Sequence, residues 1–162
     1  MYNRTVTTDD EMLKLENQLC FALVTAARNV VAIYRPILEP LGLTHPQYLV
    51  MLALWERSPR TLNDLAADLA LDPATASPLV KRLEKEGFIA RERSSEDERR
   101  LDIGLTDAGR ALRAKAVDVP RQVMAAVHMD LDQISALRDG ISRFAGRTEQ
   151  VMVGAPGGST VG

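Results

Sequence analysis

The hydrophobic period of this chain changes twice between Thr61 and Thr106, and that succession leaves few folds open. "TLNDLAADLAL" lines up Leu62, Leu65, Ala66 and Leu69 on one helical face. "DPATASPLVKRLEKEG" does the same with Leu79, Val80 and Leu83, while Lys81, Arg82 and Lys85 face elsewhere. Gly87 is a natural stop for this second helix. From Phe88 the period drops to two: "FIARER" and "RLDIGL" alternate on either side of the polar "SSEDER". Two short helices joined by a tight link make a helix-turn-helix, and a hairpin behind them makes a wing.

The flanks read as longer helices. "TDDE", Thr8 to Glu11, has the spacing of a capping box and predicts a long helix behind it. Leu15, Leu19, Leu23, Ala27 and Val30 or Val31 recur at helical spacing as far as Tyr34, where Pro36 and Pro40 are expected to break it. A second helix is predicted over Pro46 to Glu56. Behind the wing, Thr106 is a candidate N-cap for a helix bent near Pro120, and a last helix covers Leu131 to Val153. Residues 1–7 and "GAPGGSTVG" read as loose tails, and no internal repeat is evident. The expected fold is mainly α with a small β-hairpin wing, in one domain.

Bulk properties narrow the chemistry. A chain of 162 residues suits one core, and 4% aromatics amid abundant Ala and Leu favours helix on helix. The formal charge of −2 gives no bulk attraction to nucleic acid, so any DNA binding must come from local placement of cations. One cysteine excludes an internal disulfide and a CxxC zinc cluster; no metal or cofactor is expected. No run approaches the roughly 18 unbroken apolar residues of a membrane span, and the first residues do not resemble a signal peptide. The expected compartment is the cytoplasm, with no membrane partner.

On the winged-helix plan, Thr75 and Ser77 sit near the start of the second helix, where side chains reach base edges. Lys81, Arg82, Arg91 and Arg93 lie where phosphates would pass. At the wing tip Asp97 stands two residues before Arg99, so its carboxylate could aim a guanidinium that a narrow minor groove would attract. Pro78 leaves two options open. Either Thr75 caps the helix and the proline falls in its first turn, or Asp72 caps it with Pro73 first and the helix must bend.

"LALDPATASPLVKRLEKEGFIARERSSEDERRLDIGLTDAGRAL" resembles the DNA-binding core of the MarR family of winged-helix regulators, down to the wing "DER" and the "LTDAG" that opens the next helix. "LENQLCFAL", "YRPILEPLGLTHPQYLVMLALWE" and "DERR" resemble the organic hydroperoxide sensors of that family, called OhrR. The likeness runs from about Leu15 to Val119. It implies a homodimeric repressor on a pseudo-palindromic duplex operator, released when an organic hydroperoxide oxidises a thiol. It also implies one domain over 1–162, with dimerisation helices at 8–45 and 106–153 around a winged helix-turn-helix at 46–105.

The lone thiol, Cys20, has a bland reading as a small core side chain. Geometry supplies the alternative. From Cys20 to Tyr34 is 34 − 20 = 14 residues, which returns to nearly the same helical face. It also separates the two by about 21 Å along the axis, too far to touch within one helix. Antiparallel pairing with a second copy would bring Cys20 of one towards Tyr34 of the other. In the resembling sensors the corresponding tyrosine does donate across the dimer, and a donated hydrogen bond favours the reactive thiolate. A second tyrosine usual in "TYPQY" is replaced here by His45, whose imidazole could donate in its place or, as a cation, favour the thiolate further. "PAT" replaces the more usual "SGT" of the recognition helix, so operator preference is expected to differ. With no second cysteine, oxidised Cys20 must be capped by a low-molecular-weight thiol, close on a backbone nitrogen, or overoxidise. Two rivals stay open: a repressor released by a small aromatic ligand with Cys20 structural, and a thiol peroxidase. His128 has no ligand set near it and reads as structural.

Overall fold

The computed structural model describes residues 9–153, with side chains as far as residue 145. The two expected tails and the expected cap Thr8 lie outside the described residues. By internal contacts the chain falls into two units, Met1–Val119 and Pro120–Gly162, each considered separately.

The first unit opens with a short helix, α1 (Asp9–Met12), and a 3-10 turn at Leu15–Asn17. The long helix predicted from residue 8 is therefore interrupted, because Lys14 and Gln18 are both extended. It restarts as α2 (Leu19–Leu38) and runs through Pro36, beyond the break expected at Tyr34. Pro36 removes one N–H but continues the turn, and the chain leaves the helix only at Gly42, left-handed at φ 71°.

α3 (His45–Glu56) is the centre of the unit, touching α2, α4 (Leu62–Asp68), α5 (Pro73–Lys85) and α6 (Asp107–Ala116). Tyr48, Val50, Met51 and Leu54 on it are buried, and Leu38, Leu65, Leu83, Ile89 and Ile103 complete the core. The sheet has order β1-β3-β2, with β1 (Arg60–Thr61) and β2 (Ile89–Arg93) both antiparallel to β3 (Leu101–Leu105). Ile89 pairs with Leu105 and Arg93 with Leu101, the register expected of a wing. β1 was not predicted, since two residues carry no period.

Gly87 has φ 82°, a left-handed value that glycine adopts without strain, and ends α5 as expected. Gly109 is required for another reason: a Cβ there would lie 2.0 Å from the Phe88 carbonyl oxygen. Thr106 caps α6 by accepting from the Gly109 N–H at 3.1 Å, and Trp55 Nε1 donates to the Gly109 carbonyl at 2.9 Å. The "LTDAG" segment is thus the place where wing, α3 and α6 meet.

The second unit holds the helix that begins at Val119, α7 (Val119–Val127), and α8 (Leu131–Val153). His128, at φ 53°, sits in the left-handed turn that ends α7. Asp130 and Gln133 then cap α8 reciprocally, at 2.8 and 3.0 Å.

α2 is almost wholly uncovered. Leu19, Phe21, Val24, Val30 and Val31 are all exposed, as are Leu131, Leu137, Ile141 and Phe144 on α8. By length and composition alone Leu19–Leu41 would suffice to cross a membrane, with mean hydropathy 1.3. The criterion of an unbroken run passes over it because Arg28 and Arg35 interrupt the segment. An uncovered apolar stripe with charges at intervals is also what a helix packed on a second copy requires.

Candidate functional site

The recognition helix is set by its first residue. Asp72 caps α5, its carboxylate accepting from the Thr75 N–H at 2.8 Å and from the Thr75 hydroxyl at 3.1 Å. These bonds hold the carboxyl below its usual range. The second of the two options for Pro78 is therefore the one adopted: Pro73 is the first helical residue and Pro78 lies inside the helix. Without an N–H, Pro78 leaves the Ala74 carbonyl in the first turn without the usual bond from four residues on. Thr75 is exposed with its hydroxyl engaged by Asp72, Ser77 is half-buried, and Lys81 and Arg82 are exposed along the helix.

The wing cations differ in freedom. Arg91 donates from Nε and Nη2 to Glu84 Oε2, at 2.9 and 2.5 Å, fastening β2 to α5. That pairing lowers the Glu84 carboxyl and raises the Arg91 guanidinium. Arg93 donates to the Glu98 carbonyl at 3.1 Å, and Arg100 pairs with Asp102 at 3.0 Å. Asp97 corrects an expectation: its carboxylate accepts from the backbone N–H of Arg99 at 3.0 Å, so it shapes the turn instead of gripping the guanidinium. Among the described residues no ion pair engages Arg99, which is exposed at the tip.

Cys20 lies in the first turn of α2 and is exposed, so within one chain it is not a core filler. Tyr34, half-buried near the other end of the helix, packs its ring edge-on against His45 with centroids 4.9 Å apart. Tyr48 adjoins Tyr34 at 5.9 Å. The structure thus brings Tyr34 and His45 together and leaves Cys20 apart from them. Burial raises Tyr34 above its ordinary range, keeping the phenol protonated and able to donate. Burial lowers His45 from 6.5, which favours the neutral ring, a form that can still donate a hydrogen bond.

Next to this cluster is a cavity of about 600 Å³ lined by Val31, Arg35, His45, Pro46 and Arg82, with the carboxylates of Glu39 and Glu86 on the same lining. Gln47, buried at the start of α3, and Tyr48 were not singled out beforehand. The spacing Thr44-x-x-Gln47 is a capping-box signal that could have found the first of them. Among the described residues no three His, Cys, Asp or Glu are grouped to hold a metal ion.

Residues 43–101 match the MarR family model. The chain is 40% identical over 129 residues to the organic hydroperoxide resistance transcriptional regulator of Bacillus subtilis strain 168, covering 80% of this chain and 88% of that one. The chain belongs to the MarR family. Two solved structures of AbfR, a protein of Staphylococcus epidermidis, superpose well, both 33% identical. Reduced AbfR bound to DNA gives a TM-score of 0.69 over 86% of this chain and 97% of that one. Overoxidized AbfR bound to DNA gives 0.68 over 86% and 98%. The AbfR structures share the mainly helical build with a small antiparallel sheet seen here, and the Bacillus subtilis relative is named a transcriptional regulator.

Proposed function

We propose that this MarR-family protein is a homodimeric repressor that binds a pseudo-palindromic operator when reduced and releases it when an organic hydroperoxide oxidises Cys20. The observation that carries the reading is the placement of an exposed Cys20 on the uncovered apolar face of α2, one helix-length from a Tyr34 that packs on His45. A second copy pairing antiparallel along that face covers the apolar residues and sets Tyr34 and His45 of one copy beside Cys20 of the other. The name of the Bacillus subtilis relative, and AbfR having been captured on DNA both reduced and overoxidized, support the same class of signal.

The chemistry needs no metal or cofactor. The Cys20 thiolate attacks the terminal oxygen of R–O–OH, the O–O bond breaks, and the alkoxide leaves and takes a proton to give ROH and a sulfenic acid. A low-molecular-weight thiol then displaces water to leave a mixed disulfide. One oxidant is consumed per site, as suits a switch in the cytoplasm and not a turning-over peroxidase. The polar or bulky adduct displaces the Tyr34 contact, and a rotation of one subunit on the other misplaces both recognition helices at once. A coupling of about 1–3 kcal/mol, roughly 5- to 150-fold in affinity, is enough.

On the DNA, α5 enters the major groove with Thr75 and Ser77 towards the bases, and Lys81, Arg82 and Arg93 meet phosphates. Arg99, carried on the turn that Asp97 shapes, reaches the minor groove, while Arg91 braces the wing through Glu84. The experiment is operator binding by Cys20→Ser with and without cumene hydroperoxide. Binding without release is the expected result, and release by the serine variant overturns the reading. The cavity beside His45 favours a second reading, in which a small aromatic acid held by Arg35 and Arg82 triggers release and Cys20 is structural. Cys20→Ser would then leave ligand-driven release intact and Arg35→Ala would abolish it.

A further inference from the structure

Gln47 is an uncharged polar side chain with only 1% of its surface exposed. It stands two residues after His45, in the same first turn of α3. Its Oε1 accepts from the backbone N–H of Thr44 at 2.8 Å and from the Thr44 hydroxyl at 3.0 Å. Its Nε2 donates to both oxygens of the Glu86 carboxylate, at 3.2 and 3.4 Å. Glu86 is the residue at which α5 ends, and Gly87 turns the chain from there into β2. One buried amide therefore joins the turn that carries His45 to the junction of recognition helix and wing.

Capping alone does not demand glutamine. A glutamate at this helical position caps as well, using only its oxygens. Here it would set a carboxylate against Glu86, and a leucine would leave the Thr44 N–H without its acceptor. Of the side chains that fit, an amide both accepts from Thr44 and donates to Glu86. The dual bonding thus points to a role in connecting the two helices, beyond starting one of them.

We propose that Gln47 is a positioning residue that passes displacement of the Tyr34–His45 cluster to the recognition helix and wing through Glu86, a step that rests on the sensing reading above. The first turn of a helix moves as one piece. A change at Tyr34 shifts His45, the turn follows, and the Glu86 bond drags or releases the end of α5 and the start of β2.

The test uses the full chain and a duplex recovered by the reduced protein from a randomised pool. Affinities are measured for wild type, His45→Ala, Glu86→Ala and the double variant, all reduced, and then for wild type, Glu86→Ala and Glu86→Gln after cumene hydroperoxide and cysteine. Cys20 modification is followed by mass. The expected cycle shows His45 and Glu86 coupled by about fivefold or more. Glu86→Ala oxidises at the wild-type rate yet loses most of the oxidant-induced fall in affinity, and Glu86→Gln, which keeps an acceptor for Gln47, retains that fall. An additive cycle overturns the proposal whatever the oxidant does, as does a Glu86→Ala release equal to wild type. If oxidised wild type keeps its operator, the sensing reading fails, and the reduced-state cycle still decides whether the two helices are linked. Should Glu86→Ala not fold, Gln47→Glu takes its place in the cycle.

Discussion

Replacing Gly109 by alanine should uncouple the wing from the helix behind it. The added Cβ would stand 2.0 Å from the Phe88 carbonyl oxygen and 3.0 Å from its carbon, both backbone atoms of the turn between α5 and β2 that cannot swing aside. Relief requires α6 and the α5–β2 turn to part by about an ångström, a strain of the kind that costs about 1–3 kcal/mol in a packed interior. The same gap is bridged by the Thr106 N–H to Phe88 O at 3.1 Å and the Thr106 hydroxyl to Gly87 O at 2.6 Å. Losing one or both adds about 1–2 kcal/mol, and the better helix propensity of alanine returns about 1 kcal/mol. The net destabilisation is about 1–4 kcal/mol, or roughly 2–16 °C in melting temperature for a chain of this size. Urea unfolding of both proteins at one matched protein concentration measures it, since a dimer's stability depends on concentration. A midpoint equal to or above that of wild type would refute the close approach.

Other expectations follow from the wing and the aromatic cluster. Arg99→Ala should weaken operator binding by about tenfold and flatten its salt dependence by about one unit of slope. Arg91→Ala should change the slope less, because its guanidinium is paired with Glu84; equal slopes from both variants in a salt titration would contradict that division. His45 is held neutral by burial, so its folded value lies below its unfolded 6.5 and its contribution to stability, present above that pH, is lost as pH falls through the folded value. Wild type should therefore lose more stability than His45→Phe on acidification below pH 6.5, as read by unfolding midpoints; parallel pH curves would count against a buried neutral ring. His45→Tyr should keep oxidant-induced release in gel shifts and change the peroxide concentration that half-releases the operator.

The winged helix-turn-helix was legible because it rests on short-range rules. Leu62, Leu65 and Leu69, the alternation in "FIARER", and Gly87 each announce their element within a few residues. Where local rules competed, they did not decide. Pro36 read as a break and Pro78 left two options open, yet α2 runs through the first and the Asp72 cap commits α5 to containing the second. The pairing of Arg91 with Glu84 joins residues on different elements, and Gln47 with Glu86 are far apart in the chain; no period signals either. Cys20 and Tyr34 share a face by arithmetic, but the contact that would make the thiol reactive belongs to an assembly. A single chain displays only its two halves: an exposed sulfur at one end of α2 and a capped aromatic cluster at the other.

The bare stripe along α2 has a cost for the newly made chain. Leu19, Phe21 and Val24 surround the cysteine, so a subunit that has not yet met its twin presents oily surface and an unshielded sulfur in the same place. Such an orphan is prone to clump. On the proposed sensing reading, synthesis rate and encounter, as much as peroxide, then set how many competent sensors a cell holds.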